Sequence, residues 1–548
     1  MGNTVTDVQP RPGAAPEVSG VPARANGYRD AAAAALILLA LLLPWNIYTG
    51  TTISGTTGWV IALLVLLTPM PLAGLVLTHL GPKNIRGSGA DTAALDRLRP
   101  VLALPYLALV AGFLGYAVVQ AVRFGGTDLV APGVGPGLWF GLAGALLAAQ
   151  PVLTSATDAP RGSAACRVIG VLSIVFAVFA VAFNLYWRTR FVLPKIDDPE
   201  SGTQYLVVAI VAVLYGLVAL IPVIIGARWV MSATRTARMS TVLLGASALV
   251  AGAFVWLLPA GRWLDAFRGV ALDSSVAGVG YEGYLAWIAA AAIGGSVTVL
   301  AGWRADAASD WLAAARRCLI LIAAWCAGSA VLRIADIMLA SVLDKPDPPY
   351  ISTTLMVFDL VVALAAAGLY INSAGTRTAP RIRTLLYGVV FVLTVCRVIL
   401  GVALIPRVVP LNPQAIPGQY GNTLIQQITG TFDVTLCVLA LALLAVAFGS
   451  AVVRDRPAPQ RRPAAPVPAA AHPKTPPQPA VPADPWATAA QPAATAPAPA
   501  VARPLAETGP PPAPKAQSES ERIAAVLAQS SQRFAAGTTY GGPESSQD

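Results

Sequence analysis

The amino-acid sequence predicts an all-α fold: a polytopic membrane helix bundle of about 12 transmembrane helices, followed by a disordered, Pro-rich C-terminal tail. Three observations lead there. Apolar residues fill 56% of the 548 positions, and mean hydropathy is +0.65. Charged residues fill only 12%, about half the share of an ordinary soluble domain. The apolar residues gather in runs of about 20, the length that crosses a hydrocarbon core. These values exclude a soluble globular enzyme and a chain disordered over most of its length.

Residues 1–29 are polar and rich in Pro, Gly and Ala, which predicts a disordered segment. The run Ala31 to Trp45 follows too long a polar stretch for a signal peptide and precedes no A-x-A site, so it reads as an uncleaved first span. Spans are predicted near 30–47, 57–80, 100–122, 135–154, 165–187, 205–227, 240–260, 283–302, 317–343, 352–372, 383–406 and 422–452, within a transmembrane domain of 30–453. Backbone groups inside lipid must bond to one another, so each run is predicted helical. Pro69, Pro71, Pro105 and Pro222 fall inside these runs, where proline serves packing more often than binding.

Loop charges orient the bundle. With the N-terminus inside, the inner loops carry 15 Lys and Arg against 8 in the outer loops, and both termini add basic residues inside. That bias predicts a multi-pass protein of the cytoplasmic membrane with both termini cytoplasmic. Trp45, Trp187, Trp263, Tyr281 and Tyr350 stand at the outer ends as interface anchors.

After Arg454 the composition changes. Residues 457–514 hold 19 prolines in 58 positions, mixed with Ala, so 454–517 is predicted to be a disordered linker. Ser518 and Glu521 form a capping box, and Ile523, Val526, Leu527 and Phe534 follow on one helical face. A short amphipathic helix is predicted over 518–534 and a disordered end over 535–548.

Internal duplication suggests repeated two-helix hairpins. VLRIADIM around Arg333 and VCRVILGV around Arg397 each precede a span with Phe-Asp, at Phe358-Asp359 and Phe432-Asp433. Gly-x-x-Gly-Trp at 55–59 and Gly-x-Gly-x-Trp at 135–139 open two earlier spans in a similar way.

Five charges lie inside predicted spans: Arg333, Asp336, Asp359, Arg397 and Asp433. Each costs roughly 2.5–3.5 kcal/mol against lipid on insertion scales, so each is expected to face protein or water. At a rise of 1.5 Å per residue they sit roughly 10–17 Å inward of the outer ends, one slab shared by four helices. Arg333 and Asp336 are spaced to pair on one helix face, and Arg397 to pair with Asp359 or Asp433. One carboxylate is then left over to hold a proton, a cation or a cationic group. Asp433 is the expected surplus, because it shares a stripe with Gln426, Thr429 and Gly430. The same charges also suit plain helix-to-helix locking. The acidic loop cluster Asp197, Asp198 and Glu200 reads as a solvated loop.

Several chemistries lack their residues. The five cysteines, Cys166, Cys318, Cys326, Cys396 and Cys437, form no C-x-x-C. Two histidines, His79 and His472, stand far apart, which argues against bis-His haem and zinc hydrolysis. No G-x-x-x-x-G-K-[ST] loop is present. The chain is therefore expected to be no enzyme, with no metal, no cofactor and no nucleic-acid partner. Twelve spans resemble a major-facilitator transporter, but the 2–3 loop, Gly81-Pro82-Lys83-Asn84-Ile85-Arg86, departs from that family's pattern. The first outer loop, Asn46 to Thr57, also lacks the acid of lipid-phosphate glycosyltransferases. In its hairpins, short loops and Ala/Pro-rich cytoplasmic tail, the chain resembles the uncharacterised polytopic membrane proteins of actinobacteria. That likeness of style carries no functional residue across.

Two functions follow as expectations. One is a scaffold or accessory subunit of a cell-envelope complex, with the bilayer around it and a protein partner on the C-terminal tail. The alternative is a secondary transporter or flippase using the charges of spans 9–12. The topology is tested by cysteine labelling in an otherwise cysteine-free chain. A cysteine at residue 90 or 310 should stay unlabelled by an impermeant maleimide in intact cells, and labelling there would overturn the orientation.

Overall fold

The computed structural model describes residues 20–46, 48–51, 53–80, 89–124, 133–152, 163–257, 279–301, 307–343, 350–373, 379–403 and 430–455. They form a helical bundle with no strand among the described residues. The helices are α1 (Gly20–Leu42), α2 (Gly58–Leu67), α3 (Pro69–Leu80), α4 (Gly89–Phe124), α5 (Pro136–Ala148), α6 (Ser163–Thr189) and α7 (Gly202–Met231). They continue with α8 (Arg235–Leu257), α9 (Tyr281–Ala301), α10 (Ala307–Val342), α11 (Tyr350–Asn372), α12 (Pro380–Ala403) and α13 (Thr431–Asp455). The predicted tail segments, 454–517, 518–534 and 535–548, lie outside the described residues apart from the last turn of α13.

Among the described residues, ten helical segments are long and apolar enough to cross a membrane. The chain is a multi-pass membrane protein. The predicted spans 135–154 and 283–302 correspond to α5 and α9. Helix α5 has 13 residues and is roughly 20 Å long, short of a hydrocarbon core of about 30 Å. Ten of its residues are buried, and so is every residue of Tyr281–Ala290 in α9 except Glu282. Those buried stretches are sheathed by protein. A hydropathy run cannot tell a helix buried in neighbours from one buried in lipid, because both are apolar all round.

Two boundaries also differ. Helix α1 starts at Gly20, inside the segment 1–29 predicted as disordered. Arg29 and Asp30 are both buried there, and Arg29 Nη1 donates to Pro151 O at 2.7 Å, which anchors the start of the helix. The second span is two helices, α2 and α3. Pro69 brings no N–H to the ladder, and Thr68 Oγ1 bonds back to Leu64 O at 2.7 Å across the break.

Consecutive helices pack in the pairs α6–α7, α8–α9, α10–α11 and α12–α13. A larger pattern encloses them. The chain divides into three sets of four spans: α1 to α5, α6 to α9 and α10 to α13, with α2 and α3 counted as one. In each set the fourth helix packs on the first and third, as α5 does on α1 and α4, α9 on α6 and α8, and α13 on α10 and α12. Each fourth helix begins directly after a glycine, Gly135, Gly280 or Gly430. The first turns of all three meet. Trp139 stacks on Tyr284 at 4.9 Å between centroids, and Tyr284 meets the edge of Phe432 at 6.4 Å.

The start of α5 shows how backbone donors at this depth are satisfied. Gly135 N–H donates to Trp45 O at 2.7 Å, and Gly137 N–H to Pro44 O at 2.9 Å. Close approach sets the residue type elsewhere. A Cβ on Gly252 would meet the Trp139 ring at 2.5 Å. The ring is fully buried and cannot move aside. Gly252→Ala is expected to destabilise the bundle by about 1–3 kcal/mol in a detergent unfolding assay. Gly112→Ala, which meets nothing within 4 Å, should be neutral or slightly stabilising. Equal effects would show that α5 does not bear on α8.

Candidate functional site

Four of the five predicted intramembrane charges form one ladder across α10, α11, α12 and α13. Asp359 on α11 is fully buried at its centre. Its Oδ2 accepts from Arg333 Nε of α10 at 2.9 Å, and its Oδ1 from Arg397 Nε of α12. Arg397 also pairs, through Nη1, with Asp433 of α13. Asp433 then accepts from the indole N–H of Trp325 on α10 at 2.7 Å and from the backbone N–H of Gly430 at 3.1 Å. Arg333, Arg397 and Asp433 are buried as well.

Local sequence places each member. Asp433 is in the first turn of α13, where a carboxylate can reach back to an orphan backbone donor and sits favourably on the helix dipole. The Phe432 beside it packs edge-on against Trp325 at 4.9 Å between centroids, and so fixes the start of the helix. Asp359 lies on the face of α11 that also buries Leu355, Val362 and Ala366, so its carboxylate has no direction but inward. Two arginines reach it because the guanidinium can lie far from its own backbone and still present paired donors.

The predicted pairing of Arg333 with Asp336 is not what the structure holds. Arg333 turns across to Asp359, which needs a cation more, being wholly enclosed. Asp433 is not the surplus carboxylate either, because Arg397, Trp325 and Gly430 occupy its oxygens. The carboxylate left over is Asp336. Both of its oxygens lie 2.6 Å from Tyr215 Oη of α7, and it joins no ion pair among the described residues. Gln426 and Thr429 lie outside the described residues, and α13 starts at Thr431 rather than near 422.

A second charge cluster was not singled out from the sequence. Asp30 of α1 accepts from Arg29 Nε at 2.9 Å and from Arg99 Nη2 of α4 at 2.6 Å, and lies 3.0 Å from His79 Nε2 of α3. Arg99 Nε also donates to Ala148 O at 2.9 Å, at the end of α5. Two arginines thus hold one carboxylate, and Arg99 also holds the last carbonyl of a helix, where positive charge is favoured. Arg99 lies just before the predicted span 100–122, and Asp30 at the boundary of the segment 1–29. The available signal was the adjacent pair Arg29-Asp30 at the edge of an apolar run. Tyr215 and Trp325 carried no signal, since lone aromatics inside apolar runs are ordinary.

A small cavity lies between α6, α7, α8 and α9, lined by residues that include Ser163, Cys166, Trp229, Arg238 and Thr241. It shares no residue with the ladder. In the loop before α7, Asp198 accepts from Ser201 Oγ at 2.7 Å and from Glu200 N–H at 3.2 Å. Those bonds hold its carboxyl below the usual carboxylate range, a turn-forming role.

Fold and site together define a multi-pass α-helical membrane protein whose last four spans are tied by a neutralised charge ladder. The chain belongs to the family described as Domain of unknown function (DUF7937), which it matches over residues 26–452. No curated protein and no solved structure matches it. The matched region runs from the first turns of α1 almost to the end of α13, so the family is defined by the bundle.

Arg397 serves two carboxylates, and its loss leaves Asp433 without a cation and Asp359 with Arg333 alone. Arg397→Ala is expected to destabilise the bundle by about 3–5 kcal/mol, as breaking other buried pairs does. Adding Asp433→Asn should recover part of that loss in a detergent unfolding assay. A double variant no more stable than Arg397→Ala would show that the two residues are not coupled.

Proposed function

We propose that the protein is a non-catalytic scaffold or accessory subunit of a cell-envelope complex, set in the cytoplasmic membrane with both termini in the cytoplasm. One observation carries the reading. The ladder consumes its own charge: Arg333, Asp359, Arg397 and Asp433 pair with one another, and Trp325 and Gly430 fill further acceptor sites on Asp433. A substrate site would keep some of those groups for its ligand. Mutual pairing instead fixes four helices against each other, which suits a rigid platform. The small cavity supports the same reading, since it does not open onto the ladder.

The C-terminal sequence supplies the attachment. Its proline density suits an extended arm, and the capped apolar pattern at 518–534 suits docking on a protein partner. The test is purification from native membranes of the full chain and of a chain ending at residue 455. The full chain should carry a stoichiometric protein partner, and the shorter chain should lose it while remaining a monodisperse bundle. A partner retained equally by both would move the interface to the bundle. No stoichiometric partner for either chain would overturn the scaffold reading.

A further inference from the structure

We infer that Asp336, with Tyr215, forms a reversible proton-binding site between α7 and α10 at membrane depth. The inference goes beyond the scaffold reading and stands or falls separately from it. Asp336 is the one carboxylate of the predicted slab that the ladder leaves without an ion pair among the described residues. It lies one turn from Arg333, toward the end of α10 at Val342, roughly 9 Å from that end at 1.5 Å per residue. Asp359 and Arg397 are closed off in the ladder, whereas Asp336 is only half-buried. Its neighbours Ile334 and Met338 are exposed on the surface of the helix.

The surroundings set its ligand. The groups that face Asp336 are the Tyr215 phenol from α7 and Arg333 on its own helix, whose guanidinium is engaged with Asp359. From the other elements packed on α10, α11 brings Asp359 and α13 brings Asp433, both already paired, and the charges of α8 lie in its first turns at Arg235 and Arg238. One phenol is a single donor, too little to satisfy an ionised carboxylate away from water. No group of three or more His, Cys, Asp or Glu side chains that could hold a metal ion occurs among the described residues. A proton is the ligand that this environment can bind and release.

A hydrophobic carbodiimide reports on such a group directly. The protonated carboxyl adds across one C=N bond of dicyclohexylcarbodiimide. The oxygen bonds to the central carbon and the proton goes to nitrogen. The acyl group then migrates from oxygen to nitrogen, giving a stable N-acylurea with no leaving group and no oxidant. Full-length protein in proteoliposomes is treated with this reagent, and the labelled peptide is identified by mass spectrometry. Label is expected at Asp336, increasing as the pH is lowered, and not at Asp359 or Asp433. Tyr215→Phe removes the phenol donor and should raise labelling at neutral pH by roughly tenfold, the change one lost charge-assisted hydrogen bond implies. Asp336→Asn should abolish the label in protein that still elutes as a single species. A folded protein with no label at Asp336 at any pH would overturn the site. So would equal labelling of Asp359 and Asp433, or suppression of the label by Na⁺ at constant pH.

Discussion

Asp359 is fully buried in a helix that runs through lipid, and an ionised carboxylate there is stable only if cations come to it. That requirement organises the last third of the bundle. Arg333 and Arg397 must arrive from α10 and α12 at one depth, so the registers of three helices are set together. Arg397 then carries a second obligation to Asp433, which brings in the start of α13. The start of α13 presents Phe432 to Trp325 and to Tyr284 of α9. One buried charge therefore reaches, through Arg397, Asp433 and Phe432, to the aromatic junction of α5, α9 and α13.

That junction buries the first turns of α5, α9 and α13. A helix that starts within the bundle exposes backbone donors that water cannot satisfy. Each of the three starts has a local answer. Pro44 and Trp45 carbonyls accept from the start of α5, Gly280 O from Gly283 and Tyr284 in α9, and Asp433 from Gly430 at α13. Glycine is required before α5, where a Cβ on Gly135 would collide with the Pro44 backbone, whereas one on Gly430 would meet nothing closer than 3.9 Å. Large rings then fill the space between the starts.

Much of this was legible in the sequence, for a physical reason. A charge in an apolar run costs enough that it must be accounted for, so Arg333, Asp359, Arg397 and Asp433 stood out at once, with a common depth. Their partners did not. An arginine side chain spans several helix faces, so spacing along α10 favoured Asp336 for Arg333, while enclosure of Asp359 decided otherwise. Helix number was legible and helix role was not, because α5 and α9 are as apolar as the spans that touch lipid. The early start of α1 was hidden because Arg29 and Asp30 look like loop residues until Arg99 and Pro151 are beside them. Tyr215 was invisible because only its contact with Asp336 distinguishes it from any other ring in a membrane helix.

The three sets of helices are not held in the same way. The first and third each enclose a carboxylate between two arginines: Asp30 between Arg29 and Arg99, and Asp359 between Arg333 and Arg397. The second set, α6 to α9, shows no such pair among its described residues and relies on packing, aromatic contacts and the bond from Ser173 Oγ to Glu282 O. Its charged ties to the third set are few and lie at opposite ends of α10. Arg235 of α8 meets Asp310 at 3.1 Å, with both side chains partly exposed, and Tyr215 of α7 meets Asp336. The first is an exposed pair and contributes little. The second is a hydrogen bond whose acceptor weakens when it takes up a proton. Protonation of Asp336 would therefore loosen the seam between the second and third sets at one end only, while the ladder keeps the third set intact.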